Sequence, residues 1–201
     1  MSFIQTIFQV INNNKDLIIA LSSLGTCIIA LIALNTWKKQ LYAKASNKIA
    51  RNILRYIYVI QNDIALIRSP YRTYGETIIA EQEIDRGNEL LGRIGQLEAS
   101  LYNVRTKNIR KACSDLYAIL PEAEILWGKD VHYTVEPLFK LTKELYKNIN
   151  GWIFQKSFPE SKVEYNPKIV FSSFSEDDEF GIEVENTIQR IKDYIKEKII
   201  Y

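Results

Sequence analysis

The residues that could do chemistry are few. His132 is the only histidine, and Cys113 is one of two cysteines, the other being Cys27. A thiol beside an imidazole base is the arrangement of a cysteine nucleophile. Cys113, however, falls on the apolar stripe of a helical pattern, where a thiol is buried and inert, and His132 follows Trp127-Gly128-Lys129-Asp130 at a helix start. A single histidine also excludes a zinc site built from several imidazoles. The paired acids Glu81/Glu83 and Glu122/Glu124 stand two positions apart and point to different sides of a helix. The stretch GNELLGRIG, Gly87 to Gly95, has glycines but neither a Walker loop nor a dinucleotide fingerprint, and its leucines fall at core positions of a helical period. The acidic run Glu176, Asp177, Asp178 and Glu179 reads as a helix cap rather than a metal site. These residues predict no catalysis, no metal, no cofactor and no small-molecule substrate.

The element that dominates the chain is apolar. From Leu17 to Leu34 no residue is charged, and the polar side chains are Ser22, Ser23, Thr26 and Cys27. At the α-helical rise this stretch covers about 27 Å, close to the thickness of a bilayer's hydrocarbon core. Its small hydroxyls can bond back to their own helix. A cleaved signal peptide would need a basic start and a small-residue cleavage site. Here residues 1–14 carry no charged side chain, and IALNTW offers no such site. The reading is a retained transmembrane helix over residues 15–37, with Trp37 at the level of an aromatic belt.

The flanks orient it. Lys38, Lys39, Lys44, Lys48, Arg51 and Arg55 follow the span, whereas Lys15, balanced by Asp16, precedes it. A Lys/Arg excess marks the cytoplasmic side, so the N-terminus is expected outside the cell membrane and residues 38–201 in the cytoplasm. The same basic run suits anionic lipid headgroups. No aromatic RNA-binding signature accompanies it, and the formal net charge of +2 is small, so no nucleic-acid partner is expected. Before the span, Phe3, Ile4, Ile7, Phe8 and Ile11 recur at helical spacing with polar residues opposite. Residues 1–14 therefore read as an amphipathic helix lying in the membrane interface with Trp37, Lys38 and Lys39 as the other interfacial residues. Within the span Ser22, Thr26, Ala30 and Ala33 place small side chains along one face, the kind of face on which membrane helices associate.

Behind the anchor, 164 of the 201 residues remain, a normal size for one domain. The helix is expected to continue past the membrane, with Leu41, Ala45, Ile49, Ile53, Ile57, Ile60, Ile64 and Ile67 in one stripe, until Pro70 and Gly75 end it. A second helix is predicted from about Glu76, with Ile79, Ile84, Leu91, Ile94, Leu97 and Leu101 inward. Its Gly87, Gly92 and Gly95 weaken it or let another helix approach closely. A third is predicted over Lys107 to Leu120, stopping before Pro121. A fourth covers Val131 to Phe154, with Pro137 either kinking it or marking its true start. Residues 155–175 lose the helical period, and KIVFSSF suggests a short strand there. The last helix follows a capping box of Ser175 and Asp178, with Val184, Ile188, Ile191, Ile195 and Ile199 inward.

The expected architecture is all-α: an interfacial helix, a single transmembrane helix, and a cytosolic helical bundle continuing from it. The expected partners are the lipid bilayer and either a protein or a second copy of the chain. Two functions fit: a membrane-tethered module whose bundle binds a protein, and an oligomerising effector, of stress or phage-defence type, that perturbs the bilayer.

Overall fold

The computed structural model describes residues 15–82, 84, 93–171 and 177–199, and the chain separates into two units, Met1–Ala45 and Ser46–Tyr201. Among the described residues the protein is helical, without strands: α1 Lys15–Arg68, α2 Tyr74–Gln82, α3 Arg93–Trp127, α4 Asp130–Ser157, α5 Pro167–Val170 and α6 Glu179–Lys198. The interfacial helix expected over residues 1–14, including Phe3, Ile4, Ile7, Phe8 and Ile11, lies outside the described residues.

Helix α1 runs for 54 residues without a break, as the absence of proline and the presence of one glycine, Gly25, within it permit. In the first unit its side chains are exposed apart from Ala43, which is half-buried. In the second, Ile49, Ile53, Ile57, Ile60, Ile64 and Ile67 are buried, spaced by three and four so that they form one face. That face begins at Ser46, later than the periodicity predicts, because Leu41 and Ala45 are exposed. The helix stops at Ser69-Pro70, where proline disfavours helical backbone at the residue before it.

Several expectations are corrected in the middle of the chain. The second helix begins at Tyr74 rather than Glu76, because Thr73 and Glu76 form a capping box: Thr73 N donates to Glu76 Oε2 at 2.9 Å and Glu76 N to Thr73 Oγ1 at 3.3 Å. Gly75 is therefore a first-turn residue, not a break. This helix ends at Gln82, and Ile79, expected inward, is exposed. Leu101 belongs instead to α3, which absorbs the predicted third helix and continues through Pro121 to Trp127. Pro121 is exposed, so the carbonyl it leaves without a donor lies on the solvent side of the helix, where water can serve it. The true stop is Gly128, whose φ of +86° is a left-handed conformation that glycine adopts without a Cβ penalty. Gly128 N bonds Glu124 O at 2.8 Å, closing the last turn.

Helix α4 contains Pro137 without interruption. It packs against α3, α5 and α6, while α2 packs on α3. Close approach of α3 and α4 depends on Gly95, where any Cβ would overlap the Ser157 hydroxyl. The strand suggested around KIVFSSF does not form over its described part. Pro167–Val170 is instead a helical turn, started by Asn166, whose side chain accepts from Lys168 N, and by proline at its first position. At α6 the N-cap is Asp178, whose Oδ1 accepts from Gly181 N at 3.1 Å; Ser175, the other half of the expected capping box, lies outside the described residues. Phe180, Val184, Ile188, Ile191 and Ile195 are buried in the core shared by the stripes of α1, α3 and α4.

Candidate membrane segment and the polar sites of the bundle

The apolar half of α1 is long and apolar enough to cross a membrane, and no part of that stretch is buried. Exposure separates it from a core helix: Leu31 is 67% and Trp37 59% exposed. Surrounding a helix with water at every apolar position forfeits about 25 cal/mol per Å² of such surface, so a lipid or protein environment is strongly favoured. Three of its hydroxyls are satisfied within the helix. Ser23 Oγ donates to Ile19 O, Thr26 Oγ1 to Ser22 O and Thr36 Oγ1 to Ile32 O, each at 2.9 Å. Such internal bonds remove the need for water at these groups. Ser22, Thr26, Ala30 and Ala33 are all exposed along the helix, and a Cβ on the neighbouring Gly25 would meet nothing within 4 Å. Lys38 and Lys39 follow Trp37 at the exposed end of the same stretch.

In the second unit the polar side chains mostly hold helices together. Arg68, 4% exposed at the end of α1, forks onto Asp178 with bonds of 2.8 and 2.6 Å. Its remaining donors reach Ile169 O and Lys168 O at 2.9 Å, and its guanidinium lies 5.0 Å from the Phe180 ring centroid. Gly181 completes this corner, since a Cβ there would collide with the Asp178 carboxylate and stand 3.2 Å from the arginine. Arg105 does the same for α2, donating to Glu76 at 3.2 and 3.1 Å and to the carbonyls of Ser69 and Tyr71. Burial pushes the Glu76 carboxyl up, but its bonds to Arg105 and Thr73 outweigh this and hold it below the usual range. At the other end of the bundle Ser46 Oγ donates to Lys198 O at 2.8 Å and accepts from Trp127 Nε1 at 2.9 Å. Thus α6 lies antiparallel to α1, Asp178 beside Arg68 and Lys198 beside Ser46.

The sequence's catalytic candidates stay apart. His132 Nε2 lies 2.9 Å from Glu124 Oε2, and Glu124 is eleven residues, about 16 Å of helical rise, from Cys113. Cys113 is half-buried, and burial pushes its thiol up to about 11 despite a lowering bond with Thr142. It is protonated at neutral pH and a poor nucleophile. Asp178 and Glu179 act at the start of α6, and among the described residues no three His, Cys, Asp or Glu side chains gather to hold a metal ion. The residues that sequence reasoning missed are the two buried arginines. Their signal, arginine within RSPYRTYG and within an apolar helical run, is indistinguishable from a solvated charge until the partners are known.

No family model, no curated protein and no solved structure matches this chain.

Proposed function

We propose that this is a single-pass membrane protein that tethers a protein-binding helical bundle to the inner face of the cell membrane. The observation that carries the reading is one helix with two environments: exposed and apolar from Leu17 to Leu34, buried on one face from Ser46. In this reading residues 15–37 span the bilayer. The basic cluster from Lys38 to Arg55 keeps the bundle cytoplasmic. The partner surface is supported by large side chains left in solvent on the α3–α4 hairpin, notably Tyr117, Tyr133 and Ile125, the last 83% exposed. Aromatic and aliphatic groups of this kind are the usual anchors of protein interfaces.

The test combines topology with membrane integrity. A reporter active only in the cytoplasm should work when fused after Tyr201, and an externally active one should be silent there. Overproducing the full chain should leave a voltage-sensitive dye unaffected. Depolarisation by the full chain, relieved by Ile7→Lys, would replace the tether with the oligomerising membrane effector.

A further inference from the structure

A cleft of about 260 Å³ opens between α3 and α4. Pockets for drug-sized ligands begin at roughly 300 Å³, so its capacity is that of one small molecule. Its walls combine three kinds of group. Tyr102, Tyr146 and Phe154 present aromatic surface; Asn103 and Asn150 present amides; Arg110 presents a guanidinium. The helical repeat brings them together, since Asn103 and Arg110 are two turns apart on α3, and Tyr146, Asn150 and Phe154 follow at intervals of four on α4.

Arg110 has neutral partners, bonding the Tyr146 phenol and the Asn103 amide. Its guanidinium lies 5.5 Å from the Tyr146 ring centroid and one nitrogen is 3.4 Å from Asn103 Oδ1. It has no carboxylate within ion-pairing distance among the described residues. By contrast, the bundle's other long-range arginines, Arg68, Arg72 and Arg105, each hold a carboxylate. Three exposed lysines, Lys107, Lys143 and Lys147, stand within one turn of cleft residues along their helices without an ion pair among the described residues, while the exposed Glu144 and, through space, Asp63 bring negative charge towards Tyr146. Inside, the Tyr146 hydroxyl lies 3.5 Å from Thr106 O. Burial pushes that phenol up to about 12, with Arg110 pulling it down, so at neutral pH it is a donor and a flat neutral surface. The side chain of Asn150 is exposed and bonds to no described residue.

We propose that this cleft binds a free mononucleotide, its phosphate on Arg110 and its base against Tyr146 and Phe154, with Asn103 and Asn150 reading the base edge. A guanidinium offers forked donors to phosphate oxygens. Aromatic side chains stack on bases, and amides can both donate to and accept from a heterocycle's edge. Benzoate-like anions share the charge and the ring but present no edge for the two amides. The site stands whether or not the bundle is tethered to a membrane, and it adds a ligand to a chain whose sequence suggests none.

The experiment is calorimetric titration and thermal melting of the full chain in detergent micelles. The probes are the 5′-monophosphates of adenosine, guanosine, cytidine and uridine, with inorganic phosphate and benzoate as controls. At least one nucleotide should bind and raise the melting temperature, more tightly than either control by about tenfold or more. Arg110→Gln and Asn150→Ala, both at exposed positions, should melt like the parent without ligand and each weaken nucleotide binding by about tenfold. If no nucleotide binds at millimolar concentration, the proposal fails. It also fails if phosphate or benzoate binds as well as the nucleotides, or if both variants bind like the parent.

Discussion

Replacing Arg68 by alanine tests whether the end of α1 is locked to α6 by a buried ion pair. The substitution removes the fork onto Asp178 and the donors to Ile169 O and Lys168 O, all from a side chain 4% exposed. Asp178, whose side chain is 16% exposed, would lose the two bonds and the positive charge that this fork gives it. Breaking a buried pair from one side costs about 3–5 kcal/mol, mostly through the charge left behind. For a domain of this size each kcal/mol lowers the melting temperature by about 2–4 °C, so the fall should be about 6–20 °C. Circular dichroism melts of the full chain in micelles would read it. Asp178→Ala removes the same pair together with the helix cap, worth about 1 kcal/mol more. In the double variant the losses should fall well short of their sum, and Arg68→Lys should recover only a minor part because an ammonium cannot fork. A loss below about 1 kcal/mol for Arg68→Ala, or additive losses in the cycle, would refute the lock.

Ser46→Ala should destabilise the bundle by about 1–3 kcal/mol by stranding Trp127 Nε1 and Lys198 O, read as a lower melting temperature and altered tryptophan emission. Burial holds the Asp63 carboxyl above the usual range, and its Oδ2 has no partner. Its folded form therefore gains stability below the unfolded pKa and loses it as pH rises toward the folded one. Asp63→Asn should raise stability at pH 7 and flatten that loss, as measured by urea titrations across the acid range. Glu76 has the opposite sign, because its carboxyl is held low: stability should fall as pH drops through the folded pKa, and Glu76→Gln should remove that slope and lower stability at neutral pH. In the membrane segment, Thr26→Leu and Ala30→Leu should weaken self-association in a membrane two-hybrid assay while Leu24→Ala does not; equal signals would exclude that face.

Much of this fold is legible from periodicity, because long amphipathic helices write their buried face directly into residue spacing. The isoleucine stripe from Ile49 to Ile67 is an example, as is the stripe of α6. Boundaries were harder to read where two local signals competed. Pro121 marks a helix end by its missing donor, yet α3 passes through it because the affected turn is on the solvent side. Gly75 marks a break, yet the Thr73–Glu76 capping box overrides it. In KIVFSSF the β-branched residues favour a strand, but Asn166 and Pro167 impose a helical start and no edge strand is available among the described residues for pairing.

Sites are less legible for a geometric reason. The apolar segment is contiguous, so its chemistry is the chemistry of one stretch of sequence. The cleft between α3 and α4 draws its amides, rings and guanidinium from two helices, and no spacing within either predicts the other's contribution. The same applies to charge. Arg68, Arg105 and Arg110 look alike in the sequence, yet the first two are enclosed by carboxylates and carbonyls contributed from distant positions, and the third is not. Arg68 and Arg105 each commit four hydrogen bonds to the bundle, which leaves little for a ligand. An exposed arginine held by a ring, its phenol and a long amide contact has no carboxylate to give up when an anion arrives. Counting carboxylate partners separates the guanidiniums that build this bundle from Arg110, whose partners are neutral.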